Sequence, residues 1–279
     1  MLAAAAIVPA PPAFVPELMG RVAHELDDLR SAADSALTAL VDELQAAEDA
    51  TGMRGQLVVV APAEVEERDH PRRLGEHAPP NGRQEHVPPN GHREHRAAGP
   101  VGFGEFGLEV ELPALPGAPE EANGSLPTPL LVGRYLVSRV TGRSDAADRA
   151  WARARWLTTD SASGAVLGAE LAAAGTPIAL LLMADGAACH GPKAPRAEDS
   201  RAGAYEDTVN AALAAGDPAA LHALDPVLGA ELSATGPVLW PLLTAAAAGR
   251  PWTGAVLHHG APYGVGWTVA LWRPAHVHA

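Results

Sequence analysis

One cysteine, Cys189, stands among 279 residues. No disulfide can close within the chain, and one thiol cannot build a cysteine zinc cage or an iron–sulfur cluster. The compartment this suits is a reducing cytosol, so a cytoplasmic protein is expected. Aromatic residues are scarce at 4%, against 47% hydrophobic residues in all. The core must therefore come from Ala, Val and Leu, as Ala-rich helices packed on Val/Leu strands. Basic residues are outnumbered, 20 Lys+Arg against 33 Asp+Glu, for a formal net charge of -13. Nucleic-acid grooves and anionic membrane surfaces both need a basic face, so neither nucleic acid nor a membrane is an expected partner. No apolar run reaches the roughly 18 residues of a membrane-spanning helix. The apolar opening, 1–8, lacks a basic start and runs into Pro9, Pro11, Pro12 and Pro16. It reads as a first buried strand rather than a secretion signal.

What the chain does have is a strand–helix alternation, which predicts one α/β domain over 1–279 with a central, mostly parallel or mixed sheet flanked by helices. After the prolines, Leu18, Val22, Leu26, Leu29, Ala33, Leu37, Leu40, Val41 and Leu44 recur at helical spacing over 16–50. Gln56-Leu57-Val58-Val59-Val60-Ala61 follows as a second buried strand, closing a βαβ unit. Further along, 108–112 alternates like a half-exposed edge strand, 113–125 is a loop, and 128–140 is helical with Pro129 in its first turn. A short strand is expected at 156–159, helices over 161–174, 201–215 and 236–248, and a helix start at Asp217-Pro218. The last two strands, 254–258 and 264–272, are joined by a Gly-Ala-Pro-Tyr turn.

The stretch Thr176 to Pro195 organises the rest. Its first half is a continuous apolar run of strand length, suited to burial on both faces of a sheet. Asp185, Gly186, Cys189, His190 and Lys193 follow at the carboxyl end of that strand. Ligands bind at such ends in open α/β sheets, so the candidate catalytic residues are Asp185, His190 and Lys193. On the plainer reading, Asp185 brackets a turn and the other two are solvated loop residues.

Residues 64–100 differ in kind. Glu76-His77-Ala78-Pro79-Pro80-Asn81-Gly82-Arg83-Gln84 nearly repeats as Glu85-His86-Val87-Pro88-Pro89-Asn90-Gly91-His92-Arg93, with a decayed copy in Glu94-His95-Arg96. Such composition buries too little to offset its ordering entropy, so 64–100 is expected to be a disordered insertion, and 274–279 a flexible tail. The insertion's histidines, His70, His77, His86, His92 and His95, suggest metal capture, but prolines and wide spacing do not preorganise a ligand set.

Four stretches in this order resemble the catalytic chains of the class III extradiol ring-cleavage dioxygenase superfamily, related to the Memo-like proteins. They are Ile7-Val8-Pro9-Ala10-Pro11-Pro12-Ala13-Phe14-Val15-Pro16-Glu17-Leu18, Leu57-Val58-Val59-Val60-Ala61-Pro62-Ala63, Met183-Ala184-Asp185-Gly186-Ala187-Ala188 with Lys193-Ala194-Pro195, and Ala261-Pro262-Tyr263-Gly264-Val265-Gly266-Trp267. The likeness spans nearly the whole chain outside the insertion and is strongest to the short actinobacterial members. It implies an extradiol dioxygenase catalytic-subunit-like fold, with a pocket around Ala10, Pro11, Ala63, Asp185, Gly186, Ala188 and Tyr263.

It also implies a ferrous ion held by two histidines and a carboxylate, beside an acid/base histidine. Here the ligand positions hold Ala10, Ala63 and, by the best match, Thr235; Ala188 occupies the acid/base place, with His190 two residues on. No Asp or Glu follows Glu231. A methyl group cannot ligate iron, so the metal residues are expected to be none and no cofactor is expected. The leading expectation is a noncatalytic or repurposed binder of a small polar or aromatic molecule. One alternative is an active oxidoreductase of the dioxygenase type, with Fe(II) in a rearranged site including His190. Another is an interaction or assembly subunit of a homo-oligomer.

Other constellations have plainer explanations. His258 and His259, adjacent on a strand, point to opposite faces, so at most one could join His190 and Glu64. Gly102, Gly104 and Gly107 precede a strand, which is the wrong context for a dinucleotide loop. Trp240, Trp252, Trp267 and Trp272 read as core or interface.

Overall fold

The computed structural model describes residues 1–63, 91–97, 99–115 and 126–275. Its centre is a seven-stranded mixed sheet. In chain order the strands are β1 (Leu2–Val8), β2 (Gln56–Pro62), β3 (His92–His95), β6 (Arg155–Thr159), β7 (Ile178–Met183), β8 (Trp252–Gly260) and β9 (Trp267–Pro274). A separate two-stranded ribbon pairs β4 (Val101–Gly102) with β5 (Glu111–Leu112). Spatially the large sheet runs β3-β6-β2-β7-β1-β9-β8. β6, β2, β7 and β1 are mutually parallel, while β3 and the β8–β9 hairpin run antiparallel at the two flanks.

The helices are α1 (Pro16–Met19), α2 (Asp27–Thr51), α3 (Thr128–Val140), α4 (Asp145–Ala152), α5 (Gly164–Ala173), α6 (Ala202–Ala215), α7 (Pro218–His222), α8 (Pro226–Glu231) and α9 (Gly236–Ala246). They form two layers because every central strand is apolar on both faces. On β7, Ala179, Leu181 and Met183 join the core shared with α2 and α3, while Ile178, Leu180 and Leu182 join the core shared with α5, α6 and α9. All six are buried, as is the whole of β1. In the second layer α5 lies almost backbone to backbone on α9: a Cβ on Gly168 would come 2.2 Å from the Leu242 carbonyl oxygen. Arg30 of α2, 3% exposed, donates to the carbonyls of Phe14 (2.8 Å), Ala23 (2.6 Å) and Ala13 (3.2 Å), pinning the turn that leaves β1.

The α/β architecture, the mixed central sheet and most element positions match the sequence expectation. Four details differ. The segment expected to be one helix over 16–50 breaks at 20–26 into tighter 3-10 turns, where Gly20 has a positive φ of 54°. Residues 108–112 do not form an edge strand of the main sheet; only Glu111 and Leu112 pair, and with the small ribbon. The expected disordered insertion, 64–100, is corrected at its end: 92–95 is β3, whose His95 pairs with Trp156 of β6 while Glu94 meets Arg155 in a salt bridge at 3.0 Å. A strand partner supplies hydrogen bonds that composition cannot reveal. Residues 64–90 and 98 of that segment, and 276–279 of the tail, lie outside the described residues. Lastly, α4 and α8 had no counterpart in the periodicity, being only 8 and 6 residues long. Among the described residues no helix is long and apolar enough to cross a membrane.

Candidate functional site

The order β2-β7-β1 sets three parallel strand ends side by side. Ala63 follows β2, Asp185 follows β7 and Ala10 follows β1, so the topology brings together residues far apart in sequence. The turn after β7 is then knitted to its neighbours through the backbone. Ala184 N–H donates to the Val8 carbonyl (2.9 Å), Gly186 N–H to Gly266 (2.7 Å), and Gly266 N–H to Ala187 (2.8 Å). These bonds hold 184–187 extended between the β1 turn and the entry to β9.

Asp185 is the hub. Its Oδ1 accepts from Ala10 N–H at 3.0 Å, its own N–H donates to Thr235 Oγ1 at 2.8 Å, and its carbonyl accepts from Thr235 N–H at 2.9 Å. Thr235, the N-cap of α9, thereby spends its hydroxyl on backbone groups. The Asp185 side chain keeps some accessible surface, yet crowding by apolar neighbours desolvates the carboxylate and raises its pKa to about 6, with the Ala10 N–H opposing the shift.

A second carboxylate lies behind it. Glu206 of α6, 8% exposed, accepts from Ala187 N–H at 2.6 Å. It fits only because two glycines make room: a Cβ on Gly186 would come 2.2 Å from Glu206 Oε1, and one on Gly266 would come 2.5 Å from its Cδ. Burial raises its pKa first, the Ala187 N–H opposes this, and the charges of Asp207 and Asp185 raise it further. The two acids share a small cavity with Ile7, Tyr205, Trp240 and Thr268. At about 20 Å³ it has room for one water molecule, not for an organic ring.

The structure treats the sequence candidates unequally. Ala10 is buried, Ala63 is half-buried with its N–H on the Thr159 carbonyl (2.8 Å), and Pro11, Gly186 and Ala188 are half-buried. His190 is half-buried: its N–H donates to the Gly264 carbonyl (3.0 Å), its Nε2 is enclosed without a hydrogen-bond partner among the described residues, and burial lowers its pKa, keeping the ring neutral. Lys193 is exposed. The Tyr263 hydroxyl donates to Glu25 Oε2 at 2.6 Å. His258 is half-buried and His259 exposed, as alternation on a strand requires. Glu206 was not singled out in the sequence. Its signal was positional: Ala202, Tyr205, Glu206, Val209, Ala212 and Leu213 are the buried stripe of α6, and an acid on such a stripe is unusual.

Among the described residues no group of three His, Cys, Asp or Glu is placed to hold a metal ion. The residues at the strand ends therefore do not fit a facial two-histidine, one-carboxylate iron site. Comparison with protein-family models and with curated proteins finds no match for this chain.

Proposed function

We propose that this chain is an extradiol-dioxygenase-like protein whose iron ligands have been lost, acting as a binder of a small polar or aromatic molecule at the carboxyl ends of β2, β7 and β1. The observation that carries this reading is the trio on those neighbouring ends: two methyl groups, Ala63 and Ala10, flank one carboxylate, Asp185, whose Oδ1 already accepts a backbone hydrogen bond. Methyl groups offer no lone pairs to a metal, but they leave an apolar wall beside a polar anchor, the usual make-up of a small-molecule site. With a pKa of about 6, Asp185 can accept a hydrogen bond when ionised and donate one when protonated. The cavity that Asp185 lines is too small for a ring, so the ligand of this reading sits outside it, against the strand ends. The reading assigns the site a ligand and no reaction.

The test is anaerobic loading of the full chain with ferrous iron, followed by oxygen uptake in the presence of 3,4-dihydroxybenzoate, alongside equilibrium dialysis of the same compound without iron. The expected result is no oxygen uptake, with iron-independent binding that Asp185→Asn weakens about tenfold, the worth of one charged hydrogen bond. Oxygen uptake that depends on added iron would replace this reading with the rearranged-metal enzyme.

A further inference from the structure

β3 and β8 stand at the two ends of the large sheet, and they are built in opposite ways. β3, at one end, is four residues long and carries Arg93 and Glu94, the latter tied to Arg155. Short length and charge are the ordinary protections of an edge. β8, at the other end, is nine residues long and contains no Asp, Glu, Lys or Arg. Among the described residues nothing pairs with its outer side. Each residue from Thr253 to Gly260 keeps accessible surface, and Leu257 is 41% exposed, whereas β1 and β7 are buried throughout. The one edge-blunting feature of β8 is a register shift in its pairing with β9 between Val256 and His258, which leaves Leu257 without a partner on β9.

We propose that two copies of this chain pair through β8, antiparallel about a two-fold axis at Val256, so that two seven-stranded sheets become one. The strand is self-complementary in that arrangement. Val256 meets its own copy, Leu257 meets Ala255, His258 meets Gly254, Thr253 meets His259 and Trp252 meets Gly260, so away from the centre each larger side chain faces a smaller one. Charge confines such a contact to a strand like this one. On a chain of net charge -13 two copies repel over most of their surface, and like charges directly opposite in a ladder are destabilising. This strand brings no fixed charge to such a ladder, and burial lowers the pKa of His258 and keeps it neutral. An isologous contact of this kind closes at two copies instead of growing into a fibre. The inference does not depend on what the strand-end site binds.

Sedimentation velocity on the full chain tests it. The expected species at about 50 µM has twice the 28.7 kDa chain mass, with a dissociation constant below about 10 µM. Ala255→Lys and Leu257→Lys, both at exposed positions, should each weaken the dimer at least tenfold while leaving the circular dichroism spectrum unchanged. Cys189 is buried and is the only natural thiol, so Val256→Cys gives a clean reporter: mild oxidation should yield a disulfide-linked dimer, and Leu257→Lys should suppress it. A single-chain mass at about 100 µM, or a dimer that survives both lysine substitutions, would overturn the proposal.

Discussion

The backbone N–H of Ala10 donates to Oδ1 of Asp185 across 3.0 Å, although the two residues stand 175 apart in sequence. The contact ties the turn that leaves β1 to the turn that leaves β7, and among the described residues it is the one hydrogen bond on that carboxylate. A single backbone donor is too little to offset desolvation, so the acid titrates near pH 6 in the folded chain and near its ordinary 3.8 when unfolded.

Stability should accordingly depend on pH through this residue. Between those two values the folded protein holds a proton that the unfolded chain releases, so the contribution of Asp185 is fully present below about pH 4 and is lost as pH rises through about 6. Asp185→Asn keeps an oxygen for the Ala10 N–H and removes the titration. Urea denaturation of both proteins at pH 5 and pH 7.5 should show the variant gaining about 1 to 2 kcal/mol relative to wild type at the higher pH, allowing for the partial solvent access of the side chain. Parallel pH profiles would show that the carboxylate is not desolvated.

Glu206→Gln and Glu206→Ala should separate hydrogen bonding from charge. Glutamine retains an acceptor for Ala187 N–H and removes a buried charge beside Asp185, so its unfolding free energy should stay within about 1 kcal/mol of wild type. Alanine leaves that N–H unpaired and enlarges the cavity, a loss of roughly 3 kcal/mol. Equal losses in the two variants, read from denaturant midpoints, would mean the acceptor at this position has little value.

On the central strand, Leu181→Asp or Leu182→Asp should abolish folding. The two side chains point into opposite helical layers and both are 0% exposed. An unpaired carboxylate in either layer costs several kcal/mol, against a total stability of roughly 5 to 15. Far-ultraviolet circular dichroism is sufficient to read the outcome, and a folded spectrum for both variants would displace β7 from the core.

Gly168→Ala should also destabilise, although alanine is the better helix former. The added methyl would lie 2.2 Å from the Leu242 carbonyl oxygen, which obliges α5 and α9 to move apart. A net loss of about 1 to 3 kcal/mol is expected, against the roughly 1 kcal/mol gain of Gly→Ala in an unpacked helix. A raised melting temperature would show that the two helices separate freely.

The sheet was legible in the sequence because its central strands are continuous apolar runs bounded by Pro and Gly, a signal that survives any tertiary context. Asp185 and Gly186 stood out for the same reason, since they directly follow the apolar run of β7. β3 was not legible: His92-Arg93-Glu94-His95 has no strand character of its own and is ordered by the β6 edge. Glu206 was hidden for a related reason. Its neighbour Asp207 and the polar Asn210 make α6 look like a surface helix, and only the packing of Gly186 and Gly266 turns that acid inward. The partner of Tyr263 was not legible either: its hydroxyl donates to Glu25, 238 residues away in sequence.

The position of β1 has a bearing on how the chain assembles. This strand lies between β7 and β9, with Ala5 opposite both Leu180 and Trp272. None of its ladder hydrogen bonds can form with a near neighbour, so its residues leave the ribosome long before either of their partners. Until those arrive an uncharged apolar strand stays uncovered, in a topology dominated by distant pairings that fold slowly and are open to misassociation. Truncating the β8–β9 hairpin would therefore remove more than an outer ribbon. It would leave a strand that has already waited for one partner exposed along its other side for the life of the protein.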